Sequence, residues 1–157
     1  MEDSILKAIL EISEEFFHTK DDPRQIPTTM EASKKILDLC PGAFSYKIEN
    51  GVPVSWVIVI PTQKEVAEKF LRGELNEREL LENTKKESVY DALYLQIVFT
   101  VPEFRGKGLP ILLFEKAIFE APISENALFF AWAYSKEGKA LVQKLSRILN
   151  KDIRIKE

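Results

Sequence analysis

The chain has 157 residues, 45% of them apolar and 30% charged, with a formal net charge of -3. A single core of this length is stable without staples, so one domain spanning residues 1–157 is expected. A nucleic-acid footprint is excluded because Lys64, Lys69, Lys85 and Lys86 are interspersed with glutamates, and no apolar run is long enough for a bilayer span. The one cysteine, Cys40, permits neither an intramolecular disulfide nor a thiolate metal cage.

From Asp3 to Phe17 the residues Ile5, Ile9, Ile12 and Phe16 recur at helical spacing, opposite Glu11, Glu14 and Glu15. The opening residues lack a basic leader, so a cytoplasmic protein is expected. His18 sits where a C-terminal helix cap favours histidine. Thr28 followed by Glu31 has the spacing of a capping box and predicts a second helix that ends at Pro41 and Gly42. Phe44, Tyr46 and Ile48 then alternate with polar residues, and Asn50 with Gly51 forms a two-residue hairpin turn. The returning strand is expected over Val52 to Ile60.

Gln63 to Lys86 is charged and helix-prone. Arg72 and Gly73 divide it, and Asn76 with Glu79 marks a second helix start. Its apolar stripes, Val66 with Phe70 and Leu80 with Leu81, look too narrow for a core, so the segment is expected to dock on the flank of the sheet as a solvated insertion and lid. Its acids Glu74, Glu77, Glu79, Glu82 and Glu87 suit either a cationic substrate or a solubilising surface. Asp91 to Val101 reads as a central strand covered on both faces. It is followed by an apolar helix from Leu109 to Glu120, a buried strand from Asn126 to Tyr134, an amphipathic helix from Lys136 to Leu149, and a short strand at Ile153 and Ile155. The order is α-α-β-β-(α-α)-β-α-β-α-β, with a β-α-β unit at its centre.

The stretch with chemical content is Val101 to Pro110, between that central strand and the apolar helix. Gly106 and Gly108 let the backbone turn through positive φ so that successive amides converge on one centre. The helix beginning near Leu109 adds unpaired amides and the positive end of its dipole, and Arg105 and Lys107 add charge. This is an anion site. No lysine followed by Ser or Thr closes the loop and the G-x-G-x-x-G spacing is missing, which sets aside a nucleoside-triphosphate loop and a dinucleotide fingerprint.

Taken with its flanks, VPEFRGKGL resembles motif A of the GCN5-related N-acetyltransferases, whose signature there is Q/R-x-x-G-x-G/A. The resemblance implies an α/β fold, with a mixed central sheet flanked by helices and a helical insertion between the third and fourth strands. It implies acetyl-coenzyme A as cofactor, with Arg105, Gly106, Lys107, Gly108 and Leu109 at the pyrophosphate. It also implies that Val98, Thr100 and Val101 offer backbone groups to the pantetheine arm and acetyl carbonyl, and that the two parallel strands splay apart to admit it. The implied activity is transfer of acetyl to a primary amine of a small molecule or peptide. A domain of this fold that binds coenzyme A or a protein partner without efficient turnover is the alternative. An unrelated α/β binding module is a third reading.

The last motif position, usually Gly or Ala, is Pro110, which has no amide to donate. In the final helix Ser135 falls at the family's Asn and Val142 at its proton-donating Tyr. Candidates for the base are Glu87 and Asp91 ahead of the central strand and Tyr94 within it, with Gln96 on the same face as Tyr94. No metal ligand set is present, and an exposed final strand would permit a homodimer.

Overall fold

A computed structural model describes residues 1–156. The helix α1 (Asp3–Phe17) has the bounds expected and ends at His18, whose φ of 52° is the left-handed cap. The helix α2 (Met30–Leu39) is capped by Thr29, whose hydroxyl accepts from the Ala32 amide, and not by Thr28. Thr28 is buried, and its hydroxyl donates to Glu14 of α1 instead. The strands β1 (Phe44–Glu49) and β2 (Val52–Thr62) form the expected hairpin, with positive φ at both Asn50 and Gly51.

Next come α3 (Lys64–Leu71) and α4 (Glu77–Asn83), the latter with a complete capping box between Asn76 and Glu79. The chain continues through β3 (Tyr90–Thr100), α5 (Leu109–Glu120), β4 (Ile123–Ala131), α6 (Lys136–Leu149) and β5 (Ile153–Ile155). The sheet order is β1-β2-β3-β4-β5, antiparallel up to β3 and parallel beyond it. The fold is thus α/β, a five-stranded mixed sheet flanked by helices. The insertion lies between the second and third strands, not the third and fourth, because the chain ahead of Phe44 is helical and adds no strand to the count.

Period-two alternation sends the strand side chains into two cores. Trp56, Ile58, Ile60, Ala92, Tyr94 and Phe130 face α1 to α4, where they meet Leu6, Ile9, Ile36, Phe70 and Leu80. Val57, Val59, Leu93, Leu95, Phe129 and Ala131 face α5 and α6, where they meet Ile111, Phe114 and Leu145.

This arrangement overturns the expectation of a flank-docked lid at Gln63 to Lys86. Ala67, Phe70 and Leu80 are wholly buried, and the Phe70 ring packs on Tyr94 and Phe130 at centroid distances of 5.2 and 5.9 Å. A stripe of two residues per helix suffices because two short helices pool their stripes on one strand face.

Candidate functional site: a cleft between parallel strands

The ladder between β3 and β4 runs up to Leu95 opposite Ala131 and stops there. Beyond it β3 continues to Thr100 along β2 alone, while the chain leaves β4 through Trp132, Ala133 and Tyr134 into α6. The strand expected over Asn126 to Tyr134 therefore begins and ends three residues earlier. Its last aromatic residues line a cavity of about 310 Å³ that opens between the two strands.

A bulge in β3 sits at the same level. Ile58 opposes Ile97 and Val59 opposes Leu95, leaving Gln96 as the extra residue. Gln96 and Ile97 consequently both turn to the α1–α4 face, whereas Val98 packs on the α5–α6 side.

The Val101 amide donates to the Val54 carbonyl at 2.9 Å, so alternate residues of β3 direct their backbone groups away from β2. Thr100 obeys this, its carbonyl accepting from Arg105 Nε at 3.0 Å. By the same alternation the backbone groups of Val98 face the gap left by β4. Val98 lines the cavity, while Thr100 and Val101 do not.

The turn after β3 is built as its glycines require. A short 3-10 turn covers Pro102–Phe104, then Arg105 (φ -71°, ψ 152°) and Gly106 (φ 80°) take the angles of a type II turn. Gly108 (φ 73°) is the N-cap of α5 and Pro110 lies in its first turn. Among the described residues, the amides of Gly106, Gly108, Leu109 and Ile111 donate to no protein acceptor. A Cβ at either glycine would meet nothing within 4 Å. Unpaired amides at a helix start, beside open space, are a cradle for an anion. The Lys107 ammonium lies 4.9 Å from the Phe104 ring centroid. The loop residues 105–109 are thus at the α5 start and not in the cavity wall.

The acidic candidates separate sharply. Asp91 accepts the Lys64 amide at 2.6 Å and so caps α3 from across the sheet edge. Glu87 is exposed, and its amide donates to Tyr90 Oη at 2.9 Å. Neither lines the cleft. Tyr94 does, wholly buried, with its hydroxyl donating to Glu77 Oε2 at 2.7 Å.

Glu77, only 6% exposed, is the carboxylate that lines this cleft. Its Oε1 accepts the Ile26 amide at 2.9 Å and Gln96 Nε2 at 3.5 Å. Burial raises its pKa above the ordinary 4.5, against the opposing effect of the hydrogen bonds from Tyr94, Ile26 and Gln96. The same burial, together with the Glu77 charge, holds the Tyr94 phenol well above 10. Gln96 Oε1 is buried with no partner among the described residues, which leaves an acceptor at the same place.

In sequence Glu77 is one of five acids that suit either a cationic substrate or a solubilising surface, and no local signal singles it out. Ser135 caps α6 by accepting the Gly138 amide at 3.0 Å, and both Ser135 and Val142 line the cleft. Tyr134 lines it too, with most of its ring exposed.

The fold and the cleft define a three-layer α/β domain that opens between two parallel central strands, with unpaired amides at the start of the following helix. No protein-family model matches the chain, and no curated protein matches it. Among solved structures it is similar to a ribosomal-protein-alanine N-acetyltransferase from Brucella melitensis biovar Abortus 2308. The identity is 13% and the TM-score 0.49, over 92% of this chain and 85% of that one. Among the described residues no helix is long and apolar enough to cross a membrane and no cluster of ligands could hold a metal ion.

Proposed function

We propose that this protein is an acetyl-coenzyme A-dependent N-acyltransferase acting on a primary amine. The observation that carries the proposal is the end of the β3–β4 ladder at Leu95 and Ala131, beside a turn with unspent amides at Gly106, Gly108 and Leu109. A strand edge without a partner, next to an anion cradle, suits a long ligand with a pyrophosphate at one end and an amide-bearing arm at the other.

Bound there, acetyl-coenzyme A would supply an acetyl group activated as a thioester. The chain's own groups divide the remaining work. The amides at Gly106, Gly108 and Leu109 hold the pyrophosphate, and backbone groups of Val98 hold the arm and polarise the acetyl carbonyl. Glu77 takes a proton from the substrate ammonium, its pKa raised above the ordinary carboxylate value by burial. The free amine would accept the acetyl group that the thioester supplies, and the sulfur leaving with coenzyme A would need a proton. Val142 cannot donate it; of the two phenols lining the cleft, Tyr94 is committed to Glu77, which leaves Tyr134 or solvent.

A second reading, a coenzyme A-binding domain without efficient turnover, is favoured by Val142 at the usual acid position and by the missing amide of Pro110. Amine-dependent release of free thiol from acetyl-coenzyme A, measured over a panel of primary amines, separates the two. Release with at least one amine supports the enzyme, and cofactor binding with no release for any amine supports the second reading. The reading as an enzyme carries with it a place in the cytoplasm, where acetyl-coenzyme A is available.

A further inference from the structure

A second cavity, of about 280 Å³, lies between the insertion and the end of the sheet, and Glu77 and Trp132 line both it and the cleft. Its walls include Phe70, Glu74 and Glu79. The rings of Phe70 and Trp132 stand almost perpendicular, at 77° with centroids 6.3 Å apart, and so form a corner. The ammonium of Lys156 occupies that corner, 5.4 Å from the Phe70 centroid and 5.1 Å from the Trp132 centroid. The Lys156 backbone is fixed by its amide, which donates to the Ala131 carbonyl at 2.8 Å. Among the described residues Lys156 forms no ion pair, so the rings are what hold the charge.

We propose that this aromatic corner is the recognition subsite for the acceptor, an alkylammonium group, and that Lys156 is its intramolecular stand-in. The inference rests on the acyltransferase reading for what happens next and on the cavity geometry for the binding itself. Two ring faces around one ammonium provide attraction through the ring quadrupoles, and in the walls Glu74, Glu77 and Glu79 outnumber Arg24, the other cation besides Lys156. Glu77 and Trp132, which line both cavities, connect this corner to the cleft between β3 and β4. Lys156 must leave before a substrate can enter, so it competes with every acceptor at the effective concentration of a tethered group.

The test is calorimetric titration of the full chain, of Lys156→Ala and of Lys156→Gln, with two probes: pentylamine and Nα-acetyl-lysine amide. Alanine keeps the backbone amide, and glutamine also keeps a long stem without the charge. Both variants should bind at least one probe roughly tenfold more tightly than the parent, the scale set by one exposed to half-buried cation–π contact. Trp132→Leu added to Lys156→Ala should return binding to the parent level or weaker. Tighter binding of pentylamine points to a small free amine, and equal or tighter binding of the lysine amide points to a peptide side chain. Equal affinity in parent and variants, tighter binding that survives Trp132→Leu, or no binding in any of them overturns the assignment and leaves Lys156 a purely structural contact. Coenzyme A titrated into the same samples keeps the two proposals apart, because loss of that signal removes the acyltransferase reading alone.

Discussion

Glu77 shows what separates a local signal from a long-range one. In sequence it is one acid among Glu74, Glu79 and Glu82, spaced as on any wet helix. Its burial depends on Tyr94, 17 residues on, and on the Ile26 amide, 51 residues back, and nothing in its own neighbourhood encodes either. Gly106 and Gly108 are the opposite case: positive φ is a property of the residue itself, and both adopt it. Asp91, the second residue of β3, caps α3, and Glu87, just ahead of that strand, is solvated.

The raised pKa of Glu77 means that the fold favours its protonated form. The stability this gives is full below the unfolded value near 4.5 and is lost as pH rises through the higher folded value. Glu77→Gln removes that dependence, so in thermal melts the parent should lose stability relative to the variant as pH rises from 4.5 toward neutrality. In turnover the sign is reversed: only the ionised carboxylate accepts a proton, so the parent rate should climb with pH through the raised pKa. The Gln variant should be slower by roughly 10² to 10⁴ and lack that limb. A Gln variant with an unchanged pH–rate profile would show that Glu77 is not the base. Pro110→Ala restores an amide in the first turn of α5, worth about 1.5–3 kcal/mol at most if it faces phosphate. The comparison is the coenzyme A dissociation constant of the two proteins, and an unchanged value would mean that position does not face the anion.

At the scale of elements, helix periodicity was the strongest signal. The bounds of α1 and α6 agree with it to the residue, those of α5 agree with the apolar run from Leu109 to Glu120, and the capping box at Asn76 and Glu79 is complete. Strand ends were weaker, because Trp132 and Tyr134 have the composition of a strand but line a cavity. The burial of α3 and α4 departs from the sequence expectation for a related reason. Charge density describes their outer faces, while Ala67, Phe70, Leu80 and Leu81 connect them to the core. Phe70 is wholly buried against Tyr94, Phe130 and Trp132, so Phe70→Ala should cost about 3–5 kcal/mol in denaturant unfolding. Replacement of residues 63–86 by a short turn should abolish the cooperative thermal transition. A deletion variant that melts cooperatively near the parent temperature would restore the lid.

Over the whole molecule, the parallel pair in the middle of the sheet does two things at once. Up to Leu95 and Ala131 it ties the two cores together, and beyond them it leaves a strand edge bare. Such an edge is costly unless a ligand or water uses it. The motif, the β-α-β order and the parallel pairing were legible in sequence. The level at which the strands part was not, because it is set by the bulge at Gln96 and by the departure of Trp132 from the sheet. The central claim is that this opening and the turn behind it hold acetyl-coenzyme A, and calorimetric titration with that compound tests it most directly. The account predicts saturable binding at one site, lost in Gly108→Val, where a branched side chain at φ 73° both strains the turn and fills the open space over the amides. Gly108→Asn, whose side chain tolerates the left-handed region, should weaken binding while the fold remains intact. Absence of binding by the parent protein, or affinity unchanged in both folded variants, would contradict the account.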